Sequence, residues 1–208
     1  MRGDAIDTAW LDRIEIVGGH PAVDFVNTVH SRLELEPRDY LETPAHLIGW
    51  FRRMGLLGDT DARRLAGLTP ARGGKLLNKA RALRETLYVV FDGHIRGHSH
   101  IPALEAFNRE LEDLAAWREL VRAENGFAWH YRVDPRKPRS LFVPLVFSAA
   151  RLLRSPELVR LKACPPPDGC GWLFLDRSRN GSRTWCNMKT CGNLAKQRRH
   201  RARQARVR

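Results

Sequence analysis

No cysteine occurs in the first 163 residues of this 208-residue chain, and no apolar run approaches the ~18 residues that a membrane span needs. Acidic residues are nearly missing from the C-terminal part. Residues 151–208 carry 3 Asp or Glu against 15 Lys or Arg, whereas residues 1–150 carry 20 against 21. The net charge of +13 is therefore a property of the tail. The opening MRGDAIDTAWLDRIEI lacks the apolar centre of a signal peptide, so the expected setting is cytoplasmic and reducing, with no membrane partner. In that setting clustered cysteines are more often metal ligands than disulfides, and Asn180-Gly181-Ser182 is not a glycosylation site. Also missing are a nucleophile elbow, a phosphate-cradling GxxxxGK and a dinucleotide GxGxxG, so no enzyme is expected. What is there, 43% hydrophobic and 28% charged, is a globular composition, long enough for one domain plus a small module.

Hydrophobic spacing predicts a mainly α fold. Ile14 and Ile16 alternate as in a short strand that turns at Gly18-Gly19 into a helix, with Pro21 in its first turn. On that helix Phe25, Val26 and Val29 form an apolar stripe, while Asp24, Asn27 and Thr28 share a polar face. Thr43-Pro44 caps a helix through Met54, Asp59 or Asp61 caps a short one through Leu68, and Thr69-Pro70 opens a further segment. The clearest helix spans Lys75 to Arg96 and pairs with one after Pro102 across Gly97-His-Ser-His. Asn125-Gly126 between alternating residues predicts one β-hairpin, and Leu141 to Leu153 a last apolar helix stopped by Ser155-Pro156.

All four cysteines sit in the basic tail. Cys164 and Cys170 have five residues between them, Cys186 and Cys191 four, and fifteen separate the pairs. Two turn-held pairs can bring four thiolates to the corners of a tetrahedron around one structural Zn(II), leaving no open position for an activated water. A hairpin with Trp172, Phe174 and Trp185 on its apolar face and Asn180-Gly181 as its turn is the expected scaffold. So small a unit lacks the core to fold alone, and metal binding, worth roughly 10–16 kcal/mol in isolated finger peptides, would supply the difference. The expected organisation is a helical domain over residues 1–155 with a small hairpin, then a four-cysteine zinc-finger module over 160–208 ending in a basic helix.

The residues Gly19 to Thr28 (GHPAVDFVNT), Phe174-Leu-Asp176, Arg183-Thr-Trp-Cys186-Asn-Met188 and Cys191-Gly-Asn193 with Ala195-Lys196 resemble the CGNR zinc-finger proteins of bacteria. In that family the finger follows a helical domain called ABATE, and its members are described as stress-induced transcription regulators. The resemblance implies zinc ligation by Cys164, Cys170, Cys186 and Cys191, and DNA as the partner. One position departs: the name-giving tetrapeptide ends here in Leu194 rather than Arg. A phosphate or base contact by that Arg would be missing, with Lys196, Arg198 and Arg199 at hand to compensate.

After Cys191 come seven Lys or Arg with His200 and no acidic residue, in a stretch of good helix formers without an apolar stripe. Like charges at i,i+3 and i,i+4 would repel in such a helix, and phosphates would relieve them. Nucleic-acid contact is therefore expected from Arg183, Lys189, Asn193, Lys196, Arg198, Arg199, Arg201 and Arg203. Neutralising about six phosphates would give a log K against log salt slope near −5. Exposed rings among Trp172, Phe174 and Trp185 would instead favour RNA, and a zinc that merely staples the tail would make a protein-interaction module. The near-neutral helical part suits a sensor or a dimerisation unit, hence a small-molecule effector or a homodimer. Asp24, Asn27 and Thr28 are the candidate ligand contacts, unless they anchor the Gly18-Gly19 turn. His94 and His98 have chelating spacing without a hydrolase Glu, and better suit the end of a helix dipole.

Overall fold

The computed structural model describes residues 14–207; the opening stretch read above for a signal peptide lies outside them through Arg13. Proline and threonine start the helices much as the sequence suggests. Helix α1 (Pro21–Val26) is capped by the His20 side chain, which accepts from Ala22 N–H, and α2 (Pro44–Arg53) by Thr43, which accepts from His46 N–H. Helices α3 (Asp59–Ala66), α4 (Pro70–Arg96) and α5 (Ile101–Leu114) follow, then the hairpin β1 (Arg118–Ala123) and β2 (Gly126–Tyr131), and α6 (Val143–Leu153). The chain continues into the strand pair β3 (Leu161–Ala163) and β4 (Leu173–Leu175) and ends in α7 (Asn193–Val207). The fold is mainly α, as expected.

Helix α1 is the centre of the packing. Every residue from Ala22 to Val26 is buried, and α4, α6 and β4 pack around it. Phe25 meets Trp50 and Phe51 with ring centroids 5.1 and 6.1 Å away, and Phe51 meets Phe142 at 6.2 Å. Leu161, Leu173 and Leu175 of the terminal strand pair belong to this same core, so the cysteine-bearing segment is built onto the helical body rather than tethered to it.

Several local expectations shift. Residues 14–17 pair in no strand, although Leu175 N–H donates to Gly18 C=O at 2.8 Å. Helix α1 stops at Val26, with Asn27 as its C-cap: the Asn27 N–H still bonds Val23 C=O while its side chain reaches Leu173. Gly58, not Asp59 or Asp61, stands at the cap of α3. The segment opened by Thr69-Pro70 runs without a break into the long helix, giving α4 27 residues. Gly73 lies where α2 crosses: a Cβ there would meet Pro44 at 3.0 Å, so glycine admits the close approach. In the hairpin Ala123 pairs with Gly126, which puts Glu124-Asn125 at the tip, one residue before the expected turn.

The contact that joins the two ends of the chain is a side chain imitating a strand. Asn27 Nδ2 donates to Leu173 C=O at 2.8 Å while its Oδ1 accepts from Leu173 N–H at 2.9 Å, across 146 residues of sequence. Trp172 Nε1 adds a bond to Val29 C=O at 2.6 Å. Asn27→Ala leaves both Leu173 groups buried without partners, at about 1–3 kcal/mol each. Urea unfolding of this variant is expected to show a loss of about 3 kcal/mol, and a loss below about 0.5 kcal/mol would show that the clamp is dispensable.

Candidate metal centre and basic helix

Strand β3 delivers Cys164, and the loop to β4 turns back on itself through Cys164 N–H to Trp172 C=O and Gly171 N–H to Cys164 C=O, at 2.8 and 3.2 Å. Gly169 is the narrow point. A Cβ there would fall on the Pro165 carbonyl and the Cys164 sulfur, so only glycine lets the loop fold tightly around Cys170. The second cysteine pair follows a loop held by Asp176, which is fully enclosed. Its carboxylate accepts from Lys162 Nζ at 2.7 Å, from Ser178 Oγ at 2.6 Å and N–H at 3.0 Å, and from Arg183 N–H at 2.9 Å. Those bonds, the Lys162 one first, hold the carboxyl well below the usual carboxylate range. Cys191 then lies in a π-helical turn, Met188–Gly192, that runs directly into α7.

The four sulfurs of Cys164, Cys170, Cys186 and Cys191 lie within 4.8 Å of one another, with Cys170 to Cys186 at 3.5 Å and Cys186 to Cys191 at 3.7 Å. A tetrahedral zinc with sulfur at about 2.3 Å sets its ligands about 3.8 Å apart, so the donor set fits. Thiols this close titrate against one another: hydrogen bonds from the other three push Cys164 down, while Cys186, bonded to an already charged Cys164, is pushed up. The cluster can carry several thiolates only with a cation at its centre. Phe174, Trp172 and Trp185 pack round it, the first two buried and the third half-buried. They do so differently from the expected hairpin: β4 pairs with β3, and Asn180-Gly181 turns a loop, not a strand pair.

The other candidate residues fall into two groups. Arg183 is spent inside the module, donating to the carbonyls of Trp185, Cys186 and Val17 with its guanidinium 4.4 Å over the Phe174 ring. Arg198 is tied to Asp168 at 3.2 Å, and Asn193 Nδ2 donates to Lys189 C=O at 3.1 Å. Lys189, Lys196, Arg199, Arg201 and Arg203 are exposed and form no ion pair among the described residues. Leu194 is 43% exposed on the first turn of α7. Sequence reasoning missed Lys162 as a brace, and the resemblance at Phe174-Leu-Asp176 was the available signal for Asp176.

Asp24, Asn27 and Thr28 are all enclosed, at 2%, 0% and 0% exposure. Asp24 Oδ1 accepts from Gly18 N–H at 2.7 Å, Asn27 clamps Leu173, and Thr28 Oγ1 donates to Phe25 C=O at 2.7 Å while accepting from Arg84 at 3.2 Å. Burial pushes the Asp24 carboxyl up to about 6 against the opposing backbone N–H bonds. The histidines take no part in a site: Gly97, with φ at +69°, ends α4 before His98, and the cysteines form the one metal-capable group among the described residues.

The geometry defines a zinc-finger protein whose four-cysteine module, a knuckle between β3 and β4 followed by a loop and a helix, is built onto a helical domain. The ABATE family, described as "Putative stress-induced transcription regulator", matches residues 19–156, and the CGNR zinc finger matches residues 160–204. The chain belongs to the ABATE family and carries a CGNR zinc finger with one structural zinc. Neither family is an enzyme family. No match was found among curated proteins. No helix among the described residues is long and apolar enough to cross a membrane.

Two outcomes check the site. Reduced protein is expected to hold one zinc per chain by elemental analysis, and the Cys186→Ser, Cys191→Ser variant none; equal zinc in both would place the metal elsewhere. Asp24 in the folded chain keeps its proton up to about pH 6, whereas an unfolded Asp loses it near pH 4, so its contribution is complete below about pH 4 and lost by about pH 6. Asp24→Asn keeps the acceptor for Gly18 without that titration. Relative to the parent, the variant is expected to gain about 3 kcal/mol between pH 4 and pH 7, and parallel pH profiles would contradict the shift.

Proposed function

We propose that the protein is a DNA-binding transcription regulator of the cytoplasm, without catalytic activity, in which the zinc finger presents α7 to the duplex and the helical domain senses an effector. The observation that carries the reading is that Lys196, Arg199, Arg201 and Arg203 of α7, with Lys189 in the turn before it, are exposed without an ion pair among the described residues, on a helix anchored at its start by a metal ligand. A free helix of this composition would be weakened by its own charge. Anchoring at Cys191 and phosphates along the exposed face offset that repulsion, and arginine can also engage guanine edges bidentately. Leu194 stands where the resemblance has Arg, so contacts pass to the residues further along the helix. In this reading Asp24, Asn27 and Thr28 position the finger instead of touching a ligand.

The burial of Trp172 and Phe174 supports duplex over single-stranded partners, because two of the three rings are withheld from stacking on bases. About five free cations give an expected log K against log salt slope near −4.5. Arg199→Glu, Arg201→Glu, Arg203→Glu together are expected to weaken duplex binding at least about a hundredfold near 50 mM salt, flatten the slope by about 2.7 and leave zinc content unchanged. Unchanged affinity in that triple variant would leave the finger as a protein-interaction module, and tighter binding to single-stranded RNA than to duplex DNA would move the partner to RNA.

A further inference from the structure

A concavity outside the finger, with a volume of about 720 Å³, lies between the start of α1, the hairpin β1–β2 and α6. That volume lies in the range that takes a small organic ligand. Its charge is one-sided. Arg118, Arg151 and Arg154 line it, no carboxylate does, and none of the three arginines forms an ion pair among the described residues. Arg118 is held between two rings, 3.9 Å over Phe147 and 4.6 Å over Trp129, so its position is fixed by the walls before any ligand arrives.

Ser148 lies on the lining, and His20 behind it sets the direction of its hydroxyl. His20 spends Nδ1 as an acceptor for Ala22 N–H at 3.2 Å, and its ring is kept neutral by burial and then by Arg151, which lower its pKa to about 4. With Nδ1 accepting, a neutral ring carries its proton on Nε2, 3.3 Å from Ser148 Oγ, and in that tautomer the Ser148 hydroxyl proton is left for a group in the cavity. Ser155, also on the lining, has a buried hydroxyl with no partner among the described residues. Opposite them stand apolar and aromatic surfaces: Trp129, 51% exposed, and Tyr131 from β2.

We propose that this cavity binds a small organic anion bearing a planar aromatic ring, its carboxylate received by Arg151, Arg154 and Ser148 and its ring laid against Trp129. The inference rests on, and deepens, the sensing half of the proposed function, and holds whether or not α7 binds nucleic acid. Pro21 on the cavity wall is the first residue of α1, two residues from the Gly19 turn and three from Gly18, whose carbonyl holds β4. The ligand would thus touch the segment on which the finger is mounted.

The test is calorimetric titration of the full, zinc-loaded chain, without nucleic acid, with 2-naphthoate, the neutral 2-naphthamide and the cationic 2-naphthylmethylamine. The expected result is a Kd of about 100 μM or tighter for naphthoate, about tenfold weaker binding of the amide and none of the amine. Arg151→Gln with Arg154→Gln is expected to level the preference for naphthoate over the amide. Trp129→Ala, at an exposed ring, is expected to weaken naphthoate and amide alike; both variants keep one zinc per chain. Equal binding of all three probes, no binding of naphthoate at millimolar concentration, or an unaltered preference in the arginine variant would overturn the proposal. So would loss of duplex DNA affinity in the arginine variant with naphthoate binding intact, which would assign these arginines to the nucleic-acid surface.

Discussion

Four cysteine sulfurs within 4.8 Å cannot all be charged unless a cation sits among them, and the C-terminal quarter of the chain is organised around that constraint. The apolar material near the cluster is small: Trp172 and Phe174 buried, with Val17, Tyr40 and Trp185 packed on the outside. Two devices bring the thiols to the same point. The knuckle between β3 and β4 is drawn tight enough that position 169 has no room for a side chain, and Asp176 gathers the following loop with four bonds from three residues. Helix α7 inherits its starting direction from this arrangement, since Cys191 lies in the turn that begins it.

The metal alone would make only a small ordered knot. Its position on the protein comes from α1, whose last turn gives Asn27 to the backbone of Leu173 and whose preceding loop gives Gly18 to Leu175. The two widely separated parts of the resemblance meet here: α1, from GHPAVDFVNT at the front, packs on β4, which carries Phe174 and Leu175 at the back. The electrostatic split follows the same division. The body is nearly neutral and pairs its charges internally, as Arg84 does with both oxygens of Asp39 at 2.8 Å, while the tail has 3 acids for 15 bases and leaves most of its cations outward.

Much of this is legible in the sequence, and the parts that are not share a cause. Helix starts are readable because caps and first-turn prolines are local signals, and the metal ligands because four cysteines in one segment admit few other uses. The Asn27 clamp has no local signature: its partner is 146 residues away and is a backbone group. Arg183 reads as a free cation because the carbonyls that occupy it are invisible in composition, and Arg198 because Asp168 is brought beside it only by the knuckle. The helical spacing is clear only from Lys75, because Gly73 faces Pro44 of α2 where an apolar side chain would otherwise mark the stripe, yet α4 runs unbroken from Pro70. Asn180-Gly181 makes its turn but has no second strand to join, since β3 has already taken β4 as partner.

One zinc ion holds the finger loop and the root of α7 in place on the helical body. Amide hydrogen exchange, followed while a chelator withdraws the metal, tests this segment by segment. Residues 176–204 are expected to lose protection in step with release of one zinc per chain, while α2, α4, α5 and α6 keep theirs. Protection of residues 176–204 that persists after the zinc has gone would contradict it.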